Sequence, residues 1–453
     1  MSISFWSILV VLLMLGVLVT IHELGHFWAA CLLKIKAFEV SIFVGPSLIN
    51  WKRKGVEYSI RALPFGAYVR FTDIDENGNA VVSDDPDLLV NSPRWKRLLV
   101  ALAGPFMNML LGVIIFTILF CIIGFTSLNI GLVRPGSQLE TTLTTTETEF
   151  ELGDTIVKVN GNRVFTYLDY YYEIENGVSG LDEVTLTMKS SSTGELYDLT
   201  LTPATDTKPM LGISHYDTTD NKYNGWEVIE VYDTQNNGDP VLKIGDYLTE
   251  VNGKSVADED FNEYFSSLDE GDTMILTYIR NGVEYEEECV MTMITYTNER
   301  GIVLYSYDVN SVSTFLGAFK TAALMPITVV NVSVKSIGDV FEGEEEVYNM
   351  VSGPVGVTSV VSEVVDDVDD SAAVKALNVL QLAGIISIGL MFTNMLPIPG
   401  LDGIQVILIV VEMIIGHPLS RRSENVINVV GFVMLICLVL FALASDIIRI
   451  ILE

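Results

Sequence analysis

Four stretches of the chain stay apolar for about the length of a bilayer-crossing helix, near residues 4 to 32, 98 to 124, 376 to 396 and 426 to 450, and each meets the requirement of roughly 20 residues for a span. Between the second and third the pattern changes. Residues 127 to 311 are polar, threonine-rich and punctuated by glycine, with the alternation that predicts strands. A unit repeats there: LGDTIVKVNG, Leu152 to Gly161, returns as IGDYLTEVNG, Ile244 to Gly253, with Gly153 and Gly245 separated by 92 residues. Each copy leads into a helical stretch and then a hairpin, Val184 to Leu201 and Thr273 to Val290. Two successive modules of one fold account for this better than a single sheet.

Two further regions break the apolar pattern in other ways. In the first long loop, GVEYSIRALPFGAYVRF, residues 55 to 71, mixes β-branched and aromatic residues around Pro64 and Gly66, which predicts a short hairpin whose edge could take up an extended peptide. Residues 312 to 375 mix apolar and polar positions, Pro326 divides the one run that is nearly long enough to span, and Ser352-Gly353-Pro354 marks a turn. Amphipathic helices on the membrane surface are expected there. The chain should then divide into 1–126, two spans and the hairpin loop; 127–207 and 208–311, the two β-rich modules; 312–375, the surface helices; and 376–453, the last two spans.

Charge supplies the orientation. The loop from Lys34 to Arg97 holds ten basic residues, and Arg421 and Arg422 precede the last span. Basic loops stay in the cytoplasm, so both termini and the β-rich region are expected outside, as is the acidic run Asp366, Asp367, Asp369 and Asp370. Lys34 and Lys36 follow the first apolar run where a signal peptide would carry its charge in front, so that run reads as a retained helix. A formal charge of -32 leaves no basic face for nucleic acid. The four cysteines show no disulfide framework.

The candidate chemistry lies at the end of the first span. In Ile21-His22-Glu23-Leu24-Gly25-His26 the histidines are four apart, so on a helix both imidazoles leave one face and can hold one Zn²⁺. Glu23 beside them can take a proton from water activated by the metal. Two of the four histidines in the chain fall in this pattern, and ionisable groups at membrane depth are costly enough to count as functional candidates. A third donor follows the break Asn394-Met395-Leu396-Pro397-Ile398-Pro399-Gly400-Leu401-Asp402-Gly403 after the third span. Spans one and three run the same way, which places Asp402 level with His22 and His26; the bland alternative is a helix-capping aspartate. Asn394 offers an amide to a substrate oxyanion, or else ties off backbone freed by the prolines. Asn108, within the second span, needs a partner.

With HELGH in span one, NMLPIPGLDG after span three and GD-x-I-x-x-VNG modules that resemble PDZ domains between spans two and three, nearly the whole chain resembles the site-2 protease family, and within it the bacterial regulator-of-sigma-E protease type. The resemblance implies a polytopic α-helical membrane protein with four transmembrane helices and two extracytoplasmic PDZ-like domains, sited in the bacterial cytoplasmic membrane. It implies His22, His26 and Asp402 as zinc ligands, Glu23 as general base and Asn394 as a positioning residue. RALPFGAYV, with Arg61, Pro64, Phe65 and Gly66, looks like the family's membrane-associated hairpin, AGPFMN with Asn108 like its second-span motif, and these residues would contact substrate. SGPVG resembles its motif after the PDZ region. Expected substrates are single-span membrane proteins already trimmed by another protease, among them anti-sigma factors and signal-peptide remnants. Ile404-Gln405 stands where many members have Gly-His, PFGA where they often have two glycines, and an insert from Thr141 to Glu149 blurs the first module's peptide loop. Rival readings are an inactive scaffold binding peptide tails, a metal transporter, which would need more intramembrane ligands, and a membrane zincin with a glutamate as third ligand.

Overall fold

The computed structural model describes residues 4–73, 83–146, 148–175, 183–203, 205–217, 223–232, 235–258, 260–268, 272–297, 299–342, 353–366, 371–418 and 421–452. Of the acidic run before span three only Asp366 falls within them, and Ser352 of SGPVG and Glu147 of the insert lie outside. The chain forms two compact units, one of residues 1–129, 163–173 and 304–453, the other of 130–162 and 174–303.

The first unit begins with α1, Phe5–Leu32, whose Ser4 N-cap accepts from the Ser7 amide. Two long strands follow, β1 (Glu39–Arg53) and β2 (Val56–Arg70). They make more than the short hairpin expected from 55 to 71. Residues 39 to 42 of β1 pair on one side with 57 to 60 and on the other with 67 to 70, so β2 doubles back across its partner. Helix α2, Arg94–Ile123, contains Pro105 and packs closely on α1: a Cβ on Gly25 would meet the Ala103 carbonyl at 2.5 Å.

The β-rich region then runs through β3 (Phe125–Val133), α3 (Gln138–Thr145), β4 (Thr155–Val159), β5 (Asn162–Arg163), α4 (Tyr167–Glu175), β6 (Val184–Lys189), β7 (Leu196–Leu201), β8 (Thr205–Met210), β9 (Ile213–Asp217), β10 (Trp226–Val231), β11 (Tyr247–Val251), β12 (Lys254–Ser255), α5 (Phe261–Ser266), β13 (Thr273–Arg280), β14 (Val283–Val290), β15 (Thr292–Thr297) and β16 (Ile302–Tyr307). One sheet has the order β16-β3-β4-β6-β7 and the other β9-β10-β11-β13-β14. Their orders match strand for strand, with the repeat on β4 and β11. The modules are not simply consecutive, however. Strand β16, inside the expected second module of 208–311, supplies the edge of the first sheet, while the antiparallel pair β8 and β15 brackets the second module. The second module is thus an insertion in the first.

The repeated residues earn their place structurally. Asn160 and Asn252 both adopt positive φ, +49° and +52°, and their Oδ1 atoms accept from the Thr185 and Ile275 amides at 2.8 and 2.7 Å. The two aspartates close the preceding turns. Asp246 accepts from the Lys243 amide and from Arg280, and Asp154 from the Glu151 and Ser191 amides and the Tyr197 hydroxyl.

Returning to the first unit, the chain continues as α6 (Val312–Glu342), α7 (Pro354–Asp366), α8 (Ala372–Met395), α9 (Asp402–Ile415) and α10 (Arg421–Leu452). Two expectations are corrected here. Pro326 does not divide its run: α6 continues through it, and among the described residues five helices rather than four are long and apolar enough to cross a membrane. The reason is packing, since Ala322, Met325 and Val329 of α6 are buried with Phe116 and Leu119 of α2 and Ile388 of α8, which holds the helix on either side of the proline.

Burial alone would raise the Asp154 carboxyl pKa, but the hydrogen bonds from Tyr197 and from the Glu151 and Ser191 amides hold it below the ordinary carboxylate value. Its stabilisation is therefore complete above the ordinary pKa of about 4 and is lost as pH falls through the lowered value. Asp154→Asn should cost the module roughly 1–3 kcal/mol at neutral pH. Faster amide exchange at Glu151 and Ser191 in the whole detergent-solubilised protein would show it, with wild type converging on the variant on acidification; equal protection at pH 7 would refute the assignment.

Candidate metal centre

An uninterrupted apolar sequence makes α1 continuous from Phe5, and the four-residue spacing brings His22 and His26, both buried, to one face. Asp402 reaches them from the far end of the chain. Helix α8 stops at Met395, Pro397 and Pro399 forbid its continuation, and Gly400 turns the backbone at φ +102° before α9 begins on Asp402 itself. The cap position belongs to Leu401, so Asp402 is free of the capping role. Gly403 has to be glycine here, because a Cβ would lie 2.4 Å from the carbonyls of Met395 and Leu396.

The three side chains converge. Asp402 Oδ2 is 2.9 Å from His22 Nε2 and 3.3 Å from His26 Nε2, and the two Nε2 atoms are 3.2 Å apart. Ligand atoms bonded to one zinc in a tetrahedron are roughly 3.3 Å from each other. The triangle is therefore of the right size for one such ion, and these three are a group able to hold a metal among the described residues.

Helix α2 supplies the back of the site. The Val100 carbonyl accepts from His26 Nδ1 at 2.7 Å, which leaves the Nε2 lone pair for a metal. The Nδ2 atom of Asn108, a fully buried residue, lies 3.4 Å from His22 Nδ1, and the Asn108 amide oxygen has no hydrogen-bond partner among the described residues. A half rotation of that amide lets the oxygen accept the Nδ1 proton and gives His22 the same tautomer. Gly104 completes the cradle: a Cβ there would stand 2.3 Å from His26 Nε2 and 2.7 Å from His22 Nε2, in the space a metal needs. The residues present thus fit a zinc ion.

Glu23 is half-buried and, with His26 and Asp402, lines a cavity of about 830 Å³. Val69 at the end of β2 and Phe71 just beyond it form part of its wall. A carboxylate beside a metal site open to water is the arrangement general-base hydrolysis requires.

Other expected residues lie elsewhere. Asn394 is half-buried on the last turn of α8, outside this cavity wall, and makes no hydrogen bond to the histidines or Asp402 among the described residues. Arg61, expected to contact substrate, is instead consumed by the hairpin: its nitrogens donate to Ser41 Oγ, the Gly45 carbonyl, Glu39 Oε1 and the Tyr68 hydroxyl at 2.7–3.0 Å. Glu39 needs that cation because it is buried. Pro64 brings its carbonyl against α1, where a Cβ on Gly16 would meet it at 2.6 Å, and Gly66 turns the strand at φ +73°. Phe65 belongs to β2, with its side chain outside the described set. Asn108 backs His22 rather than facing the cavity. Sequence reasoning gave Val100 no role and quoted Gly104 only within AGPFMN, where the small pair Ala103-Gly104 beside Pro105 reads equally well as helix packing.

The profile of Peptidase family M50 matches residues 10–438. A protein of Clostridium acetobutylicum with the provisional name of zinc metalloprotease is 36% identical over 214 residues, covering 47% of this chain and 59% of that one. A Campylobacter jejuni protein with the same provisional name is 26% identical, covering 100% of this chain and 96% of that one. The metalloprotease MmpA of Caulobacter vibrioides is 32% identical over 188 residues, covering 37% of this chain and 46% of that one.

Gly104→Ala should abolish stoichiometric zinc binding, measured by metal analysis after chelator competition, since the new methyl occupies the cradle. Gly112→Ala, which crowds α2 against the Ile388 side chain of α8 about two turns further along, serves as the packing control and should keep its zinc. A Gly104→Ala protein that retains one tightly held zinc would show that the metal sits elsewhere.

Proposed function

The chain belongs to peptidase family M50, the site-2 protease family of membrane zinc metalloproteases, and we propose on that premise that it hydrolyses peptide bonds within or beside the transmembrane segments of single-span proteins. One observation carries the reading: two imidazoles and a carboxylate 380 residues apart in sequence converge beside Glu23, in a unit built of long apolar helices.

In this reading His22, His26 and Asp402 hold the zinc, with Val100 and Asn108 fixing the two imidazole tautomers. Zinc, when bound, supplies Lewis-acid polarisation of the scissile carbonyl and lowers the pKa of water. Glu23 takes the proton from the attacking water and returns it to the leaving amine, a transfer that needs no second acid. Water reaches Glu23 through the cavity, so the reaction can run at the depth of an apolar helix bundle. Arg61 braces the hairpin, and Asn394 on the last turn of α8 is the amide that would steady the oxyanion.

A peptide bond in a helix is shielded and its carbonyl is already bonded, so the substrate has to unwind. The half of β2 at residues 67 to 70 pairs with β1 on one side only among the described strands and leads into Phe71 on the cavity wall, which favours it as the template for the unwound segment. The two β modules, read as PDZ-like, would admit only stubs left by an earlier protease, by docking or by size. Anti-sigma factors and signal-peptide remnants are the substrate classes, and the bacterial cytoplasmic membrane, with the metal centre toward the cytoplasm, is the setting that basic residues in the 34–97 loop favour.

Glu23→Gln should lower turnover of single-span peptides by at least roughly 10²-fold while retaining one zinc per chain. Gel-based cleavage assays with and without a zinc chelator, paired with metal analysis, check it. Unchanged turnover would sink the base assignment, and chelator-insensitive cleavage would sink the zinc reading.

A further inference from the structure

Helix α9 is short, and the Pro397-to-Gly400 break uncouples its axis from α8. Something other than the preceding helix has to fix the rotation that aims Asp402. At the opposite end of α9 the Glu412 carboxylate, 2% exposed, accepts from Arg97 Nη1 of α2 at 2.9 Å, with Arg94 Nε at 4.0 Å. Arg94 Nη2 also donates to the carbonyl of Gly416, the C-cap of α9, at 2.9 Å. Asp402, Gln405, Ile409 and Glu412 follow one another at helical spacing down a single face, and all four line the cavity. Arg97 precedes Val100 and Gly104 on the corresponding face of α2.

We infer that the Arg97–Glu412 ion pair is the device that sets the position of Asp402 at the metal centre. It rests on the zinc reading above. The two helices meet twice, at the ion pair and, about 15 Å along α9, at the triad, so the pair fixes both the rotation and the axial register of α9 against the helix that cradles the imidazoles. An apolar contact at residue 412 would tolerate a slip of the helix. A buried carboxylate does not, because any register that separates it from Arg97 strands a charge away from water. Arg97 and Glu412 are positioning residues: they act on the metal centre through Asp402.

The test is zinc affinity, by chelator competition on the full-length protein in detergent, for wild type, Asp402→Ala, Glu412→Gln, Arg97→Met, the Asp402→Ala/Glu412→Gln double variant and the exchanged pair Arg97→Glu/Glu412→Arg. Each single change at the ion pair should weaken zinc by roughly 10–100-fold, with no further loss in the Asp402→Ala background, because both act through the same donor. Cobalt substituted for zinc should give the absorption spectrum of the Asp402→Ala protein rather than that of wild type. The exchanged pair should recover most of the affinity. Wild-type zinc affinity in both single variants, or losses that add to that of Asp402→Ala, would overturn the inference while leaving the metal site standing. Should loss of one charge prevent folding, the exchanged pair decides, since recovered folding with zinc still weak also overturns it. Unchanged affinity in Asp402→Ala would instead bring down the metal-site reading, and this inference with it.

Discussion

The structure depends on bringing three metal-donor side chains to one point among apolar helices. Imidazoles and carboxylates do not gather in such surroundings for their own sake, because burying polar groups costs free energy that only mutual bonding or a cation returns. Every element near the centre serves that convergence. Helix α1 brings two donors on one turn, the Pro397-to-Gly400 break delivers the third, and α2 leaves a hollow at Gly104 where they can meet.

Helix α2 is the common wall, although it contributes no donor to the triad. Arg97, Val100, Gly104 and Asn108 recur at intervals of three or four, so they share a face, and each meets a different part of the site: the far end of α9, His26, the metal cradle and His22. Small residues there permit close approach of α1, while the Val100 carbonyl and Asn108 face the two histidines and Arg97 faces the Glu412 carboxylate. Packing and chemistry are one constraint along this face. That is why its residues look like ordinary packing residues when the helix is considered alone.

The β-rich part obeys a separate logic. Its repeated Gly-Asp and Val-Asn-Gly groups close turns: the asparagines take positive φ and bond an amide in the neighbouring strand, and the aspartates gather backbone amides around a buried carboxylate. Because those contacts are made within each copy, both copies keep them. The edge strands differ in origin. The second sheet takes its edge from just before β10, whereas the first takes β16 from the far side of the inserted module.

The sequence alone determined what is local. Runs of apolar residues showed four of the five long helices, the spacing of His22 and His26 set them on one face, and the repeated turn units announced two like modules. Asp402 could be matched to the histidines because two helices running in the same direction end at the same depth. What needed the tertiary structure was each decision made by residues distant in sequence. Packing carried α6 through Pro326, the demand of buried Glu39 turned Arg61 inward, pairing with β3 claimed β16 for the first sheet, and the nearness of two imidazoles made Gly104 more than a packing glycine. A helix or a turn is specified by neighbours within a few positions, so its pattern is written in order along the chain. A partner across the fold is specified by three-dimensional proximity, which one sequence records only when its motif happens to name the partner.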